Sequence, residues 1–370
     1  MDDQPVEEMM LDMPKENEDV IRSRTGVYVI LERLGKGAFG AVFRVRRVQD
    51  NSELAMKCES CKSKRQIIKH EAKVFESLKQ VNSPHFLHLL DRGKVTERFN
   101  FIVMKLLGKN LWDLRVENMY HRFSLVTAIR AGEQTLAGIR DLHICGYIHR
   151  DIKPTNFAVG REEDGDQHTI YILDFGLSRQ YRSSGKDLRY QRVRAAFRGT
   201  ARYASIAALN QKEQSRKDDV ESWWYMVVEW TTGYLPWRHC KGVEKDAVIN
   251  QKIQIRERAN LEKILEYGPV EYMLSIILYI DTLNYASIPD YDHIAAQLEA
   301  ASEAYNLKYA DPPEWDTLSA YLGPRYEKNV PYELKCKDIF LIALFRSSLF
   351  ISESQLRRNV YGSCILHTQT

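Results

Sequence analysis

The spacing of apolar residues changes partway along the chain, from short runs to a helical period. The short runs are rich in apolar and β-branched residues, as strands are, and they cover 27–48 in two pieces, 53–58, 86–90, 99–104 and, much later, 169–173. Helical spacing appears at about 62–79, 124–143, 218–230, 245–257, 270–283 and 290–304. This order predicts an α+β fold, with a small antiparallel sheet first and a mainly helical part after it.

Residues 1–25 stand apart from this pattern. Residues 1–19 contain eight acids and one base, a charge of −7, so the rest of a chain with net charge +3 carries +10. The first 20 residues also hold two prolines and show no sustained apolar period. We therefore predict a disordered acidic arm over residues 1–25.

Composition and cysteine usage narrow the class of protein. Hydrophobic residues make up 44% of the chain and the net charge is small, which suits a buried core and argues against bulk nucleic-acid binding. Six scattered cysteines and no apparent secretory signal favour reduced thiols and a cytoplasmic protein. Cys58 and Cys61 form a C-x-x-C without the second pair that a zinc site needs. The longest apolar run, Ile339–Phe345, is far shorter than the about 20 residues of a membrane-spanning helix.

A glycine-rich stretch interrupts the first pair of predicted strands. It reads Gly35-Lys-Gly-Ala-Phe-Gly40 and is followed by Val42. Glycines let the backbone approach phosphate groups closely. The same spacing occurs in the Rossmann fingerprint, but that motif needs a helix after the glycines. Here residues 41–48 continue as a strand, which favours a glycine-rich hairpin lying over a nucleotide.

Lys57 and Glu71 form a second candidate site. Lys57 ends a predicted strand, and Glu71 lies on the apolar face of the helix predicted at 62–79. An inward-facing acid needs a partner, so we predict that Glu71 pairs with Lys57 and holds it on the nucleotide phosphates. Met104, at the end of the last predicted strand, would lie at the back of the nucleotide pocket or simply in the core.

The stretch Tyr147-Ile-His-Arg-Asp-Ile-Lys-Pro-Thr-Asn156 carries the strongest chemical signal. Asp151 can accept a proton from a hydroxyl, Lys153 can neutralise a phosphate oxygen, and Asn156 can offer an oxygen to Mg²⁺. Phosphoryl transfer needs these groups because it depends mostly on positioning and electrostatics. A solvated polar turn is the alternative. However, Asp174-Phe-Gly176 follows Asp151 by 23 residues and supplies a second carboxylate for a metal.

Taken in order, these motifs resemble those of a eukaryotic protein kinase over about residues 28–305. The chain is similar to the casein kinase 1 group of that family, judged from Phe197-Arg-Gly-Thr-Ala-Arg-Tyr-Ala-Ser205, Arg216-Lys-Asp-Asp-Val-Glu-Ser222 and Leu235-Pro-Trp237. It also resembles the tau-tubulin kinase-like branch, at residues 149–158, at residues 173–181 and at Glu314-Trp-Asp316. The Ala-Pro-Glu motif of most kinases is replaced by Ala204-Ser-Ile206, a departure that the casein kinase 1 group shares.

The resemblance implies a two-lobed fold with ATP and Mg²⁺ in the cleft. The small N-lobe would span about 26–104, the hinge 105–108 and the helical C-lobe 109–305, leaving 306–370 as an extension of unknown structure. The residues implied around the nucleotide are Leu34, Gly35, Gly37, Gly40, Val42, Ala55, Lys57, Glu71, Met104 and Leu107.

The resemblance also implies the roles of the polar residues. Asp151 would be the catalytic base, with Lys153 and Thr200 beside it, and Asp219 would anchor the catalytic loop. Asn156 and Asp174 would hold the metal. Lys153 favours serine and threonine over tyrosine as the acceptor.

A basic run lies close to this predicted site. Residues 178–202 contain eight bases and one acid, and their field would act on an incoming substrate. Arg192 aligns with an anion-site arginine of casein kinase 1 relatives, and Lys241 or Lys245 would join it. We therefore predict a preference for acidic or already phosphorylated sequences. The same field would attract the acidic arm of residues 1–19, which would then compete with substrates.

Two other functions remain open from the sequence. A pseudokinase that serves as a scaffold would share the fold, although every catalytic position is intact. A small-molecule kinase would also share it, but the segment at 199–205 is typical of a peptide-docking surface. We expect a monomer that acts on protein substrates, with no nucleic-acid partner and no membrane span.

Overall fold

The first part of the chain forms a six-stranded antiparallel sheet, seen in a computed structural model that describes residues 9–37, 40–182, 190–240 and 244–332. The strand order is β1-β2-β3-β4-β6-β5. The strands are β1 (Val20–Arg22), β2 (Val27–Lys36), β3 (Gly40–Arg47), β4 (Glu53–Ser60), β5 (Asp91–Val95) and β6 (Phe99–Lys105). Alternating side chains of these strands build one apolar core, with Ile30, Phe43, Val45, Met56 and Val103 almost fully buried.

The prediction of a disordered arm is wrong for residues 9–25. Met13 is 3% exposed and belongs to the apolar core of the sheet, and β1 pairs with β2. Two acids of this segment bind cations of the N-lobe. Asp12 lies 3.2 Å from Lys62, and Asp19 lies 2.8 Å from Arg98. Residues 1–8 lie outside the described part of the chain.

The strand predicted at 86–90 is also misplaced, because the observed strand is β5, directly after it. Phe86 and Leu87 are buried, but they fill space as a loop. The inward position of β5 is Asp91, a polar residue that an apolar pattern cannot find. Its carboxylate accepts a hydrogen bond from the Tyr28 hydroxyl at 2.7 Å, which fixes β5 against the start of the sheet.

Helix α1 (Ile67–Leu78) packs on this sheet. It starts five residues later than predicted because its first turn is capped from the sheet. The buried Glu59 of β4 accepts hydrogen bonds from the amides of Ile67 at 2.8 Å and Ile68 at 3.2 Å. A carboxylate there satisfies the free amides and suits the positive end of the helix dipole.

The second part of the described chain is mainly helical. Its helices are α2 (Leu111–Glu117), α3 (Leu125–Ile144), α4 (Ile206–Leu209), α5 (Arg216–Thr232), α6 (Lys245–Gln254), α7 (Arg258–Ile264), α8 (Val270–Thr282) and α9 (Tyr291–Ala304). Short strand pairs occur between them, formed by β7 (Tyr147–Ile148), β8 (Phe157–Val159), β9 (Ile170–Ile172) and β10 (Arg179–Gln180). The architecture confirms the predicted α+β fold, with an antiparallel sheet followed by a helical part.

Helices α3 and α5 form the centre of the helical part. Both are buried on nearly all sides, so their polar atoms must be satisfied internally. The Trp223 indole donates to the Gly132 carbonyl of α3 at 3.1 Å, and the Trp224 indole donates to the Met273 carbonyl of α8 at 2.9 Å. The two adjacent tryptophans therefore tie α5 to helices on two of its sides.

Residues 306–328, which belong to the extension left without a predicted structure, pack on α3 without forming a helix or strand of their own. Arg130 of α3 donates to the carbonyls of Lys308 and Asp311. The Trp315 ring lies 5.8 Å from Phe123, and Asp316 accepts from His168 at 3.0 Å. Residues 333–370 lie outside the described chain. Within the described ranges, no helix is long and apolar enough to cross a bilayer.

The docking of the N-terminal segment predicts a difference between two of its apolar residues. Met13→Ala should destabilise the fold by roughly 2–4 kcal/mol, because it removes buried side-chain volume. Leu11→Ala is the matched control, since Leu11 is 81% exposed, and it should change the free energy of unfolding by less than about 0.5 kcal/mol. Denaturant unfolding of both variants measures the difference. Equal stabilities would contradict the docking.

Candidate active site

The register of the sheet places four of the predicted nucleotide-site residues on one face. Directly opposite residues of paired strands share a face of the sheet. Val42 of β3 lies opposite Lys57 of β4, and Ala55 of β4 lies opposite Met104 of β6. Leu34 at the end of β2 is 47% exposed, and Leu107 is partly buried just beyond β6. Together these residues form an apolar wall with Lys57 at one end.

The glycines at the tip of the first hairpin differ in what they allow. Among the described residues, a Cβ atom on Gly35 would meet no atom within 4 Å, and one on Gly37 would meet only the Gly40 carbonyl at 3.7 Å. A Cβ atom on Gly40 would lie 1.8 Å from the Cys58 carbonyl oxygen. Gly40 is therefore required by the close approach of β3 to β4, whereas Gly35 and Gly37 leave the strand tip open to a ligand.

Lys57 is the charged centre of the cleft. Its ammonium lies 2.7 Å from Glu71 of α1 and 3.0 Å from Asp174. Burial opposes the charge on Lys57, but these two carboxylates outweigh it and raise the Lys57 pKa. The ammonium in turn lowers the Asp174 pKa to about 2. Lys57 and Asp174 are therefore ionised at neutral pH, while burial raises the pKa of Glu71. The predicted Lys57–Glu71 pair is present.

Asp151 is held from three directions in the loop after β7. Its Oδ2 lies 2.7 Å from the Lys153 ammonium, and its Oδ1 accepts from the Thr200 amide at 3.0 Å. The Asn156 side-chain amide donates to the Asp151 carbonyl at 2.8 Å. Thr200 thus contacts Asp151 through its backbone. The catalytic triplet predicted from the sequence is brought together.

Asp219, in the first turn of α5, fixes the backbone of this loop. Its carboxylate accepts from the amides of His149 at 2.7 Å and Arg150 at 2.8 Å. His143 of α3 lies 2.8 Å from the same carboxylate. Burial raises the Asp219 pKa, but these hydrogen bonds outweigh it and keep the pKa below its ordinary value. The predicted anchor is therefore observed, with His143 as a partner that the sequence did not reveal.

Asn156 and Asp174 provide oxygen ligands of the kind that Mg²⁺ prefers. The Asn156 nitrogen is used by the Asp151 carbonyl, which leaves its side-chain oxygen available. The Asn156 carbonyl accepts a hydrogen bond from the Leu173 amide at 2.8 Å. This bond places Asp174, the next residue after Leu173, close to Asn156. The neighbouring Phe175 ring is fully buried against Phe75 of α1 and His149. The donor set and its placement fit a divalent cation.

A protein kinase domain family model matches residues 28–279 of the chain. The chain belongs to the protein kinase family. Membership in this family implies ATP as a substrate and typically Mg²⁺ as its companion ion, in agreement with the residues around Lys57 and Asp174.

Several curated kinases are similar to this kinase domain. A probable serine/threonine-protein kinase of Dictyostelium discoideum is 32% identical over 72% of the chain. The matched part spans about half, 52%, of the length of that relative. The serine/threonine-protein kinase spe-6 of Caenorhabditis elegans is 31% identical over 75% of the chain and 72% of the relative. A probable casein kinase I homolog of Encephalitozoon cuniculi is 31% identical over 75% of the chain and 90% of the relative. The predicted enzyme class, a serine/threonine protein kinase, is confirmed.

The hinge of the kinase domain contains an ion pair that the sequence did not predict. The Lys105 ammonium lies 2.6 Å from Asp166 and 3.4 Å from Asp164, in the turn between β8 and β9. The Gly108 amide also donates to the Val159 carbonyl at 2.9 Å. These contacts join the end of the N-lobe sheet to the β8–β9 pair of the C-lobe.

Several of the basic residues in the run predicted to act on the substrate already pair with carboxylates of this chain. Arg192 and Arg179 both bind the buried carboxylate of Glu213, and Arg202 binds the buried Glu229. Lys245 lies over the Phe197 ring at 5.0 Å. Lys241, Lys186 and Arg189 lie outside the described residues. The structure therefore does not test the predicted anion site of Arg192, Lys241 and Lys245, although Glu213 lowers the field that the segment can exert.

The two glycines of the hairpin should respond differently to substitution. Gly40→Ala should destabilise the fold by roughly 1–3 kcal/mol, because its Cβ would overlap the β4 backbone. Gly35→Ala should leave the unfolding temperature nearly unchanged and raise the KM for ATP, because its Cβ would point into the open space where phosphates approach. Thermal unfolding and ATP kinetics of both variants measure this. A Gly40→Ala variant as stable as the parent would refute the account.

Proposed function

We propose that this kinase domain transfers the γ-phosphate of ATP to serine and threonine hydroxyls of protein substrates. The observation that carries the proposal is the complete ionic assembly around Lys57, which joins Glu71 of α1 to Asp174. The same cleft contains Asp151 held by Lys153 and the Thr200 amide. The type of acceptor, serine or threonine, is inferred from the names of the relatives of this domain.

Each polar residue has a separate task in this reaction. Asp151 accepts the proton of the attacking hydroxyl and orients it, because both of its oxygens are already fixed. Lys57 and Lys153 place positive charge beside the transferred phosphoryl group. Mg²⁺, held by Asn156 and Asp174, would neutralise charge on the phosphate oxygens. The ionised state of Asp174 keeps it ready to bind a cation at neutral pH.

The intact assembly supports catalysis over a scaffold role. A pseudokinase retains the fold while losing or separating catalytic groups. Here Lys57, Glu71, Asp151 and Asp174 are all present and in contact with the partners that catalysis requires. The buried Phe175 ring, between α1 and the catalytic loop, is a further feature of an assembled site.

The substrate preference and the closer relationships form the finer part of the proposal. Exposed bases such as Arg194 and Arg198 flank the segment that leads to Thr200, and they favour acidic or phosphorylated sequences. The motifs at 197–205 and 216–222 support the casein kinase 1 group, and those at 149–158, 173–181 and 314–316 support its tau-tubulin kinase-like branch. The scattered cysteines support a cytoplasmic protein. We also propose that it is a monomer.

One experiment tests the reaction and its preference together. The chain and its Asp151→Asn variant are incubated with Mg-ATP and a mixed peptide library, and phosphosites are read by mass spectrometry. We expect phosphoserine and phosphothreonine in acidic surroundings for the parent chain. The variant should lose at least ~10²-fold in rate, because it lacks the base, while its ATP affinity stays nearly the same.

Three results would count against the proposal. Activity of the variant within about tenfold of the parent would remove Asp151 from its role. Phosphotyrosine as the main product would contradict the type of acceptor. Equal labelling of acidic and basic peptides would refute the preference alone.

A further inference from the structure

The turn between β8 and β9, residues 160–169, contacts both lobes of the kinase domain. Its Asp166 lies 2.6 Å from the ammonium of Lys105, the last residue of β6. Its Arg161 lies 3.6 Å from Glu53, the first residue of β4. Strands β4 and β6 are neighbours in the N-lobe sheet. Two ion pairs of opposite polarity therefore connect this C-lobe turn to paired strands of the N-lobe.

Lys105 is placed to act on the hinge backbone and not on a nucleotide. It follows Met104, and successive side chains of a strand point to opposite faces of the sheet. Since Met104 belongs to the apolar wall of the nucleotide site, the Lys105 side chain points to the other face, where Asp166 lies. Two residues further along is Leu107, also part of the wall. The ion pair therefore fixes the backbone between two residues of the nucleotide wall.

Asp166 is held in place by contacts within its own hairpin. One carboxylate oxygen accepts a hydrogen bond from the Tyr171 hydroxyl of β9, and the other accepts from the Arg161 amide at 3.1 Å. Burial raises the pKa of Asp166, but the hydrogen bonds from Lys105 and Tyr171 outweigh it and keep the pKa below its ordinary value. Asp166 is thus an ionised partner of fixed orientation for the hinge.

The same turn is held from another side by residues 306–328. The Trp315 indole donates to the Gln167 carbonyl at 3.0 Å. The carboxylate of Asp316 accepts from the Gln167 side chain at 3.2 Å. Gln167 directly follows Asp166 in the chain. Residues 306–328 therefore position the part of the turn that binds the hinge.

His168 strengthens this connection through both of its ring nitrogens. Its Nδ1 accepts from the Leu322 amide at 3.0 Å, which leaves the proton on Nε2. Nε2 donates this proton to Asp316, also at 3.0 Å. Burial lowers the pKa of His168, as suits a neutral ring. The His168 carbonyl accepts from the Gln134 side chain of α3 at 2.8 Å, so the turn is also tied to the core of the helical lobe.

The β8–β9 hairpin carries the proposed metal ligands at its other end. Asn156 directly precedes β8, and Asp174 follows the last residue of β9 by two positions. The Gly108 amide of the hinge donates to the Val159 carbonyl of β8 at 2.9 Å. A shift of the turn at 160–169 would therefore move the nucleotide wall relative to the metal ligands.

We propose that Lys105 and Asp166 are positioning residues for nucleotide binding, and that residues 306–328 support nucleotide affinity through them. A hinge that already has its bound position loses less freedom when ATP binds. Exposed ion pairs generally contribute little. This pair differs because the Asp166 side chain is only 18% exposed and both of its oxygens are held. The inference rests on the proposed kinase function for its ligand, but it concerns binding and not transfer.

Binding of Mg-ADP, measured by titration calorimetry without a peptide, tests the pair. Lys105→Met removes the ammonium while keeping most of the side-chain length, and Asp166→Asn removes the charge at constant size. We expect each to weaken binding at least about threefold, within the range of coupling between contacting residues. Both variants remove the same interaction, so the double variant should bind about as tightly as the weaker single variant. Lys105→Arg keeps the ion pair and should bind like the parent.

Asp316→Asn tests the contribution of residues 306–328. We expect weaker Mg-ADP binding in the parent background, and no additional loss where Lys105→Met is already present. Lys328→Met is the matched control in the same segment, since Lys328 pairs with a glutamate of α9. Lys109→Met is the control near the hinge, since Lys109 pairs with a glutamate of α2. Both controls should bind like the parent, and unfolding temperatures show that every variant is folded.

Each result decides the inference separately from the proposed function. Unchanged affinity in Lys105→Met overturns it, and so do losses that multiply in the double variant, because the two side chains would then act separately. A loss in Asp316→Asn that persists in the Lys105→Met background overturns the role of residues 306–328. An equal loss in Lys109→Met assigns the effect to charge near the cleft and overturns the pair. Mg-ADP binds without phosphoryl transfer, so a failure of turnover would not obscure these outcomes.

Discussion

Lys57 lies between two carboxylates that come from different parts of the chain, Glu71 on α1 and Asp174 after β9. Neither contact is local, so each depends on the correct placement of a separate element. Glu59 places α1, because it caps the helix from the same strand that carries Lys57, two residues further along. Asp174 is placed by the hydrogen bond from the Leu173 amide to the Asn156 carbonyl. Both ion pairs therefore form only when the sheet, α1 and the catalytic loop are correctly placed relative to one another.

Asp219 plays the corresponding part for the catalytic loop. It is buried at the start of α5, where the helix dipole favours a negative charge, and its oxygens bind two loop amides and His143. The tryptophans of α5 connect the same helix to α3 and α8. The orientation of Asp151 thus depends on the core of the helical lobe and not on its own loop alone. At the other end of α5, the buried Glu229 binds Arg202 and lies 3.7 Å from Arg115.

The sequence was sufficient for the fold and most of the site, because the motifs that bind phosphate and metal are short and local. Lys57, Asp151 and Asp174 are each marked by neighbours that serve the same chemistry. The docking of Met13 could not be predicted in this way, since the four methionines among the eight acids of residues 1–19 follow no helical or strand period. Asp91 was missed because its inward position is polar. Glu213 and Glu229 lack any motif, and their arginine partners are identified only by tertiary contacts.

The central claim is that Lys57 acts in phosphoryl transfer, beyond stabilising Glu71. Lys57→Met leaves a buried acid unpaired, which lowers stability as well as activity. The decisive measurement is therefore the turnover rate of the double variant Lys57→Met/Glu71→Gln at saturating ATP, beside Lys79→Met as a control lysine paired with Glu76 on the surface. The account predicts that the double variant regains the stability lost by Lys57→Met, yet turns over at least ~10²-fold more slowly than the parent chain. A double variant within about tenfold of the parent would contradict it and leave Lys57 with a structural role only.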